Sequence, residues 1–293
     1  MRFSAEYANG MSNHLPMALL AIRRLGASDD RAREFETFYS RRLRPMSASE
    51  EALSDRLSEE LARDGKETFL RNNIARLTPG IAAAAFHGAI RTAYAIDTDD
   101  LVDAVASWVT AYSVIPSVVE GPGRAVGALF EAIQHDARFN VSFEGTSIAD
   151  RIARVASFEP FHEYAIATPT LDELARIAVK IYLATADFTA LHLVTACHAA
   201  RVLEPYLAQD ALDHLATAML AAYITIGRPS FDVATFDAPD WNTLAKKAIA
   251  SNDDHDLKMV YSCREDDAVY GWGLHRMAAA LRLKASASAP PDR

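Results

Sequence analysis

Thr170-Leu171-Asp172-Glu173-Leu174-Ala175-Arg176-Ile177-Ala178-Val179-Lys180-Ile181 is the stretch that decides the fold class. Leu171, Leu174, Ile177, Ala178 and Ile181 recur at i, i+3, i+6, i+7 and i+10, which gathers them on one face of a helix. Thr170 stands just ahead of the run, where its hydroxyl can cap the first turn. The same grammar repeats outward. Ser28-Asp29-Asp30 precedes Arg31 to Ser40, Ser47-Ala48-Ser49-Glu50 precedes Glu51 to Arg63, and Asp97-Thr98-Asp99-Asp100 precedes Leu101 to Tyr112. Stop signals follow at Gly26, Pro45, Gly121-Pro122-Gly123 and Gly227-Arg228-Pro229.

Strand signals are almost absent, and alanine fills roughly a fifth of the chain, which favours helix because alanine loses no side-chain entropy there. The expectation is an all-α protein, a single compact multi-helix domain of ten to twelve helices over residues 1–284. One longer irregular stretch runs from Arg228 to Pro239, and 285–293 form a disordered tail without apolar periodicity. No internal repeat and no linker rich in Pro, Gly or Ser divides the chain.

Composition narrows the function. With 293 residues, 50% of them hydrophobic, and a formal net charge of −9, the chain reads as a soluble globular protein. Its basic residues form only short pairs such as Arg41-Arg42, so nucleic acid is not the expected partner. The longest apolar stretches, Ile81 to Ile90 and Leu215 to Ile226, fall short of the roughly 20 residues a membrane span needs and read as buried helices. The N-terminus lacks a secretory pattern, and the two cysteines, Cys197 and Cys263, lie far apart. A cytoplasmic protein acting on an apolar or neutral small molecule is expected.

Chemistry concentrates in the nine histidines. His135, His162 and His214 have charged neighbours and read as surface imidazoles. His87 and His192 lie in segments that otherwise read as core helix, where an unpaired polar group costs on the order of 1 to 3 kcal/mol. His14 sits at a helix entrance with Pro16 set for the first turn. His255 lies in a first turn, with Lys258 at i+3 on the same face. His192 and His198 are six residues apart, about 240° around a helix, so they cannot converge on one ion. There is no His-Glu-x-x-His, and a metal site would have to be assembled from separate helices. Lys258 can equally pair with Asp254, its i−4 neighbour.

At these residues the chain resembles the questin oxidase family. The resemblance is carried by Tyr7-Ala-Asn-Gly-Met-Ser-Asn-His14-Leu-Pro16, Phe86-His87-Gly-Ala-Ile-Arg91-Thr-Ala-Tyr94, His192-Leu-Val-Thr195, Asp254-His255-Asp-Leu-Lys258 and Gly271-Trp272-Gly-Leu-His275. It implies an α-helical enzyme that inserts oxygen into, or cleaves, an aromatic polyketide or quinone, either as a Baeyer–Villiger-type monooxygenase or as a ring-cleaving dioxygenase. It further implies O2 as co-substrate, a non-haem Fe(II) held by His14, His87, His192 and His255, and a CO2-derived carbamate on Lys258. Neutral imidazole suits iron, and a carbamate supplies a hard anionic oxygen. No G-x-G-x-x-G follows a strand, so any NADPH acts from outside.

One position departs from the fungal pattern, which tends to carry a second histidine four residues beyond the first around His87; here Arg91 stands there. Either His87 is the ligand and Arg91 acts catalytically on an anionic group of substrate or protein, or metal is held differently. Two other classes use the same residues: a zinc or manganese hydrolase active without O2, and a helical small-molecule-binding protein without catalysis.

Overall fold

The computed structural model describes residues 2–8, 10–115, 124–164 and 169–288. Among them are 14 α-helices and one two-stranded antiparallel hairpin, so the all-α expectation holds and the helix count exceeds the ten to twelve expected. The excess comes from short helices. The hairpin pairs β1 (Glu6–Tyr7) with β2 (Met11–Ser12). The helices that follow are α1 (Leu15–Arg24), α2 (Asp29–Ser40), α3 (Ala48–Asp64), α4 (Lys66–Leu77), α5 (His87–Ala95), α6 (Leu101–Ala111) and α7 (Val126–His135). Then come α8 (Ile148–Ala156), α9 (Leu171–Thr185), α10 (Phe188–Leu203), α11 (Ala211–Thr225), α12 (Trp241–Ala250), α13 (Asp254–Tyr270) and α14 (Leu274–Ser288).

The expected helix starts are where the capping residues put them. Ser28 accepts from Arg31 N, and Ser47 with Glu50 and Thr170 with Glu173 each form reciprocal capping boxes. The face predicted on α9 is buried at Leu174, Ile177, Ala178 and Ile181. Helix α14 continues to Ser288, four residues into the stretch expected to lack structure, because alternating alanine and serine extends a helix that no glycine or proline stops. Residues 289–293, like the stop signal at Gly121-Pro122-Gly123, lie outside the described residues. None of the described helices is long and apolar enough to cross a membrane.

Where the lack of a linker suggested one domain, the contacts gather into two units: Met1–Lys66, Arg91–Ser107 and Ala234–Arg293 in the first, Glu67–Ile90 and Trp108–Val233 in the second. Each is assembled from separated segments, so no Pro- or Gly-rich boundary marks them. In the first unit α1 packs on α2 and α13, and α12, α13 and α14 pack together. Met17, Ala21, Ile22, Phe35 and Val260 are fully buried there. In the second, α9 packs on α10, and α11 packs on α7, α8 and α10. Nearly every residue of α10 and α11 is buried, which is how His192 and His198 are both buried on different faces of one helix.

The largest departure lies at Ile81 to Phe86, expected as helix from its four consecutive alanines. It is a turn in which Ala84, Ala85 and Phe86 all have positive φ (+49°, +56°, +69°). A left-handed L-residue costs roughly 1–2 kcal/mol, so tertiary burial of Ile81, Ala83, Ala85 and Phe86 must hold the turn. Helix α5 begins only at His87. Next to it, a Cβ on Gly88 would stand 2.5 Å from Trp108 Cγ and Cδ1. That ring is fully buried and donates from Nε1 to Gly80 O at 3.1 Å, so it cannot retreat. Gly88→Ala is therefore expected to lower the unfolding free energy by about 2 kcal/mol. Gly127→Ala, where a Cβ would meet nothing within 4 Å, is expected to raise it by about 0.5 to 1 kcal/mol. Denaturant unfolding of the two variants checks both signs.

Candidate metal centre

Two helix entrances in the first unit carry the site. At the first, the hairpin delivers Asn13, whose side chain donates to Ser4 O and accepts from Leu15 N, both at 3.0 Å. His14 is the N-terminal boundary residue of α1, and its backbone N–H donates to Tyr39 Oη at 3.1 Å. At the second, Asp253 caps α13 by accepting from His255 N at 2.8 Å. Arg282 of α14 pairs with Asp253 and, at 2.7 Å, with the buried Asp256. Arg31 of α2 donates to Ile249 O and Ser251 O, each at 2.7 Å, and fixes the loop before the helix.

Between these entrances lies Asp254. Its Oδ2 is 2.5 Å from His14 Nδ1, 3.2 Å from His255 Nδ1 and 4.0 Å from Lys258 Nζ. The two imidazoles meet edge to face, their centroids 4.7 Å apart. The ligating atoms of His14, Asp254 and His255 all lie within 4.8 Å of one another, a spacing one metal ion can span. His14, Asp254 and Lys258 are buried, Lys258 to 2% exposure.

Charge follows from burial. Desolvation alone would raise the Asp254 carboxyl, but His255, His14 and Lys258 together hold it well below the usual carboxylate range. Desolvation, reinforced by Lys258, lowers His14 to about 3 against the opposing pull of Asp254. The neutral imidazole donates Nδ1–H to the carboxylate, which places its lone pair at Nε2 in the tautomer and orientation a metal ligand needs. Burial first, opposed by Asp254 and aided by Arg91, brings Lys258 down to about 8. Sequence reading treated Asp254 only as a partner for Lys258; the adjacency of Asp254 and His255 in a first turn was the available signal.

Arg91, expected to act on an anion, is buried in this unit with Nη2 donating to Ala5 O at 3.0 Å and Asn13 O at 2.7 Å. Tyr94, one turn along, donates to Lys258 O at 3.0 Å and bonds Ser262 Oγ at 2.6 Å. Thus α5 braces the chain beside His14 with one residue and the turn carrying Lys258 with another.

His87 and His192 meet in the second unit, centroids 4.9 Å apart. His87 Nδ1 is 2.6 Å from Ala84 O, in the left-handed turn, and His192 Nδ1 is 2.8 Å from Phe188 O. A carbonyl only accepts, so both Nδ1 atoms carry the proton and both lone pairs sit at Nε2. The Phe188 ring lies 4.8 Å from that of His192. Of the imidazoles read as surface groups, His135 is exposed, whereas His162 and His214 are half-buried, held by Ala156 O at 2.7 Å and Asp210 Oδ2 at 3.3 Å. His275 is buried in a parallel stack with Tyr270 and Trp272.

If Asp254 sets the His14 tautomer, Asp254→Asn is expected to weaken divalent metal uptake by about 10- to 100-fold, read by titrating metal-stripped protein. Ala85→Gly, which removes one strained left-handed L-residue, is expected to raise the melting temperature.

No curated protein matches the chain. The model of a family described as questin oxidase-like matches residues 31–263, a span that takes in His87, Arg91, His192, Asp254, His255 and Lys258 and leaves out His14 with its hairpin, the stack of Tyr270, Trp272 and His275, and Arg282. A match over most of the sequence, with Asp254, His255 and Lys258 of α13 inside it, makes this chain a member of the questin oxidase-like family.

Proposed function

We propose that the protein is an oxygenase acting on an aromatic polyketide or quinone, with a non-haem iron held in the first unit by His14, His255 and Lys258 as its carbamate. The observation that carries this reading is the gathering of a neutral His14, the ionised Asp254, His255 and Lys258. Membership of the family supports an oxidoreductase of polyketide-type substrates. Imidazole nitrogens beside a hard anionic oxygen form a donor set suited to Fe(II). Bound iron would supply the one-electron chemistry through which O2 reacts with a closed-shell ring.

The chain's own groups do the rest. Asp254 holds the proton at His14 Nδ1 and so keeps the lone pair at Nε2. The burial of His14 and Lys258 excludes water and strengthens every local charge interaction. Lys258, brought down to about 8, presents a neutral amine in a useful fraction of molecules near neutral pH. Its Nζ attacks CO2, an N–C bond forms, and the displaced proton leaves to water. His87 and His192 are proposed as metal ligands within the second unit, where they form an imidazole pair of their own. Reductant such as NADPH is drawn from outside where one oxygen atom is inserted and the other becomes water; ring cleavage that retains both atoms needs none.

Metal analysis of protein purified anaerobically without chelators tests the reading. Near-stoichiometric iron is expected in the wild type and its loss in His255→Ala, with His192→Ala reporting separately on the second pair. Iron-loaded protein is expected to consume O2 with quinone substrates. Zinc or manganese in place of iron, with turnover in the absence of O2, would overturn the oxygenase in favour of a hydrolase. No metal in any preparation would leave a helical binding protein.

A further inference from the structure

Between Gly80 and His87 the backbone of the second unit runs against its own sequence. Ile81-Ala82-Ala83-Ala84-Ala85-Phe86 is rich in helix formers and stands directly ahead of α5, so winding it onto that helix would extend an existing ladder with no new nucleus to form. Instead Ala84, Ala85 and Phe86 hold left-handed backbone, with Phe86 N–H donating to Ala82 O and His87 N–H to Ala84 O, each at 3.2 Å. Three consecutive L-residues in that region persist only where their surroundings over-determine them. One buried ring supplies the constraint at both ends. Trp108 Nε1 donates to Gly80 O at 3.1 Å, while Gly88 lies so close to Cγ and Cδ1 of the same ring that a Cβ there would stand 2.5 Å away. A right-handed helix from Gly80 to Gly88 would rise about 12 Å, further than contacts with neighbouring atoms of one indole permit. The span between them has to fold back, and the left-handed turn does so while burying Ile81 and Phe86.

We propose that residues 81–86 are a two-state latch pinned by Trp108, left-handed while Nε1 holds Gly80 and right-handed, continuous with α5, once it lets go. The latch acts on His87. In the turn, Ala84 O sits 2.6 Å from His87 Nδ1, and the ring stands against His192 with centroids 4.9 Å apart. In the wound form Ala84 O joins the ladder of α5 and accepts from Gly88 N–H, four residues on. The imidazole then loses the acceptor that fixes its tautomer and its orientation. His192 has no such dependence, because its Nδ1 meets Phe188 O, four residues back within α10. One histidine of the pair is therefore held by ordinary helix and the other by a turn that can be released. The inference holds whatever the two imidazoles bind.

Ala84 is the one residue of 81–86 that is not buried, so substitutions there change backbone preference with least effect on the core. Valine strongly disfavours positive φ, and glycine takes it freely. NMR of protein labelled at backbone carbons and alanine methyls reads the hand of the turn from the shifts of Ala85 and Phe86, and relaxation dispersion reads a minor form in μs–ms exchange. The wild type is expected to show left-handed shifts with a minor right-handed form. The population of that form is expected to rise roughly ten-fold in Ala84→Val and to fall by a similar factor in Ala84→Gly. Trp108→Phe, which keeps a ring and removes Nε1–H, is expected to raise it as well, with loss of the His87 Nδ1–H signal; adding Ala84→Gly to that chain is expected to restore both. Left-handed shifts without exchange in the wild type, Ala84→Val and Trp108→Phe alike would overturn the latch. So would a loss of stability spread evenly over the chain with no helical form at 81–86. Should Trp108→Phe fail to fold, Ala84→Val decides by the same two readings.

Discussion

One buried carboxylate organises the first unit. Desolvating an ion such as Asp254 costs several kcal/mol even after relaxation, and it stays ionised because His14, His255 and Lys258 are all presented to the same oxygen. These groups come from the entrance of α1 and the first turn of α13, which pack on one another. Their meeting therefore has two effects together. It satisfies the charge, and it fixes which nitrogen of His14 carries the proton.

The first turn of α13 shows how closely a helix can divide work among like residues. Asp253, Asp254 and Asp256 are near neighbours, yet successive side chains leave a helix about 100° apart. Asp253 caps the backbone and meets Arg282, Asp254 faces the imidazoles, and Asp256 turns to Arg282 and Ser251. Without Arg282, three carboxylates in one turn would repel one another. With it, two of them share one guanidinium from α14, and the third is left as the charge at the site.

Much of this was legible in the sequence, and the failures have identifiable causes. Capping residues located α2, α3 and α9 because their chemistry is local. The resemblance pointed to His14, His255 and Lys258, which the fold gathers, and to His87 and His192, which it pairs. Asp254 was underrated because an i, i+4 ion pair with Lys258 explained it sufficiently on one helix; only the contact with His14, 240 positions away, gives it another role. The turn before His87 was read as helix since four alanines carry no local signal against it. Its left-handed backbone is imposed by burial, and burial is a property of the whole fold.

His14 and the pair of His87 and His192 are oriented by different physics. His14 is oriented by an anion, which adds electron density to the ring and contributes charge to whatever binds at Nε2. His87 and His192 are oriented by carbonyl oxygens, which select the tautomer and contribute no net charge. For His87 that carbonyl belongs to Ala84, so its placement depends on backbone strain where His14 depends on an ion pair. An ion pair of this kind responds to a change in local charge, whereas a strained turn responds to a change in packing. Substitutions that perturb electrostatics should therefore be felt first at His14, and substitutions that loosen the core around Phe86 first at His87.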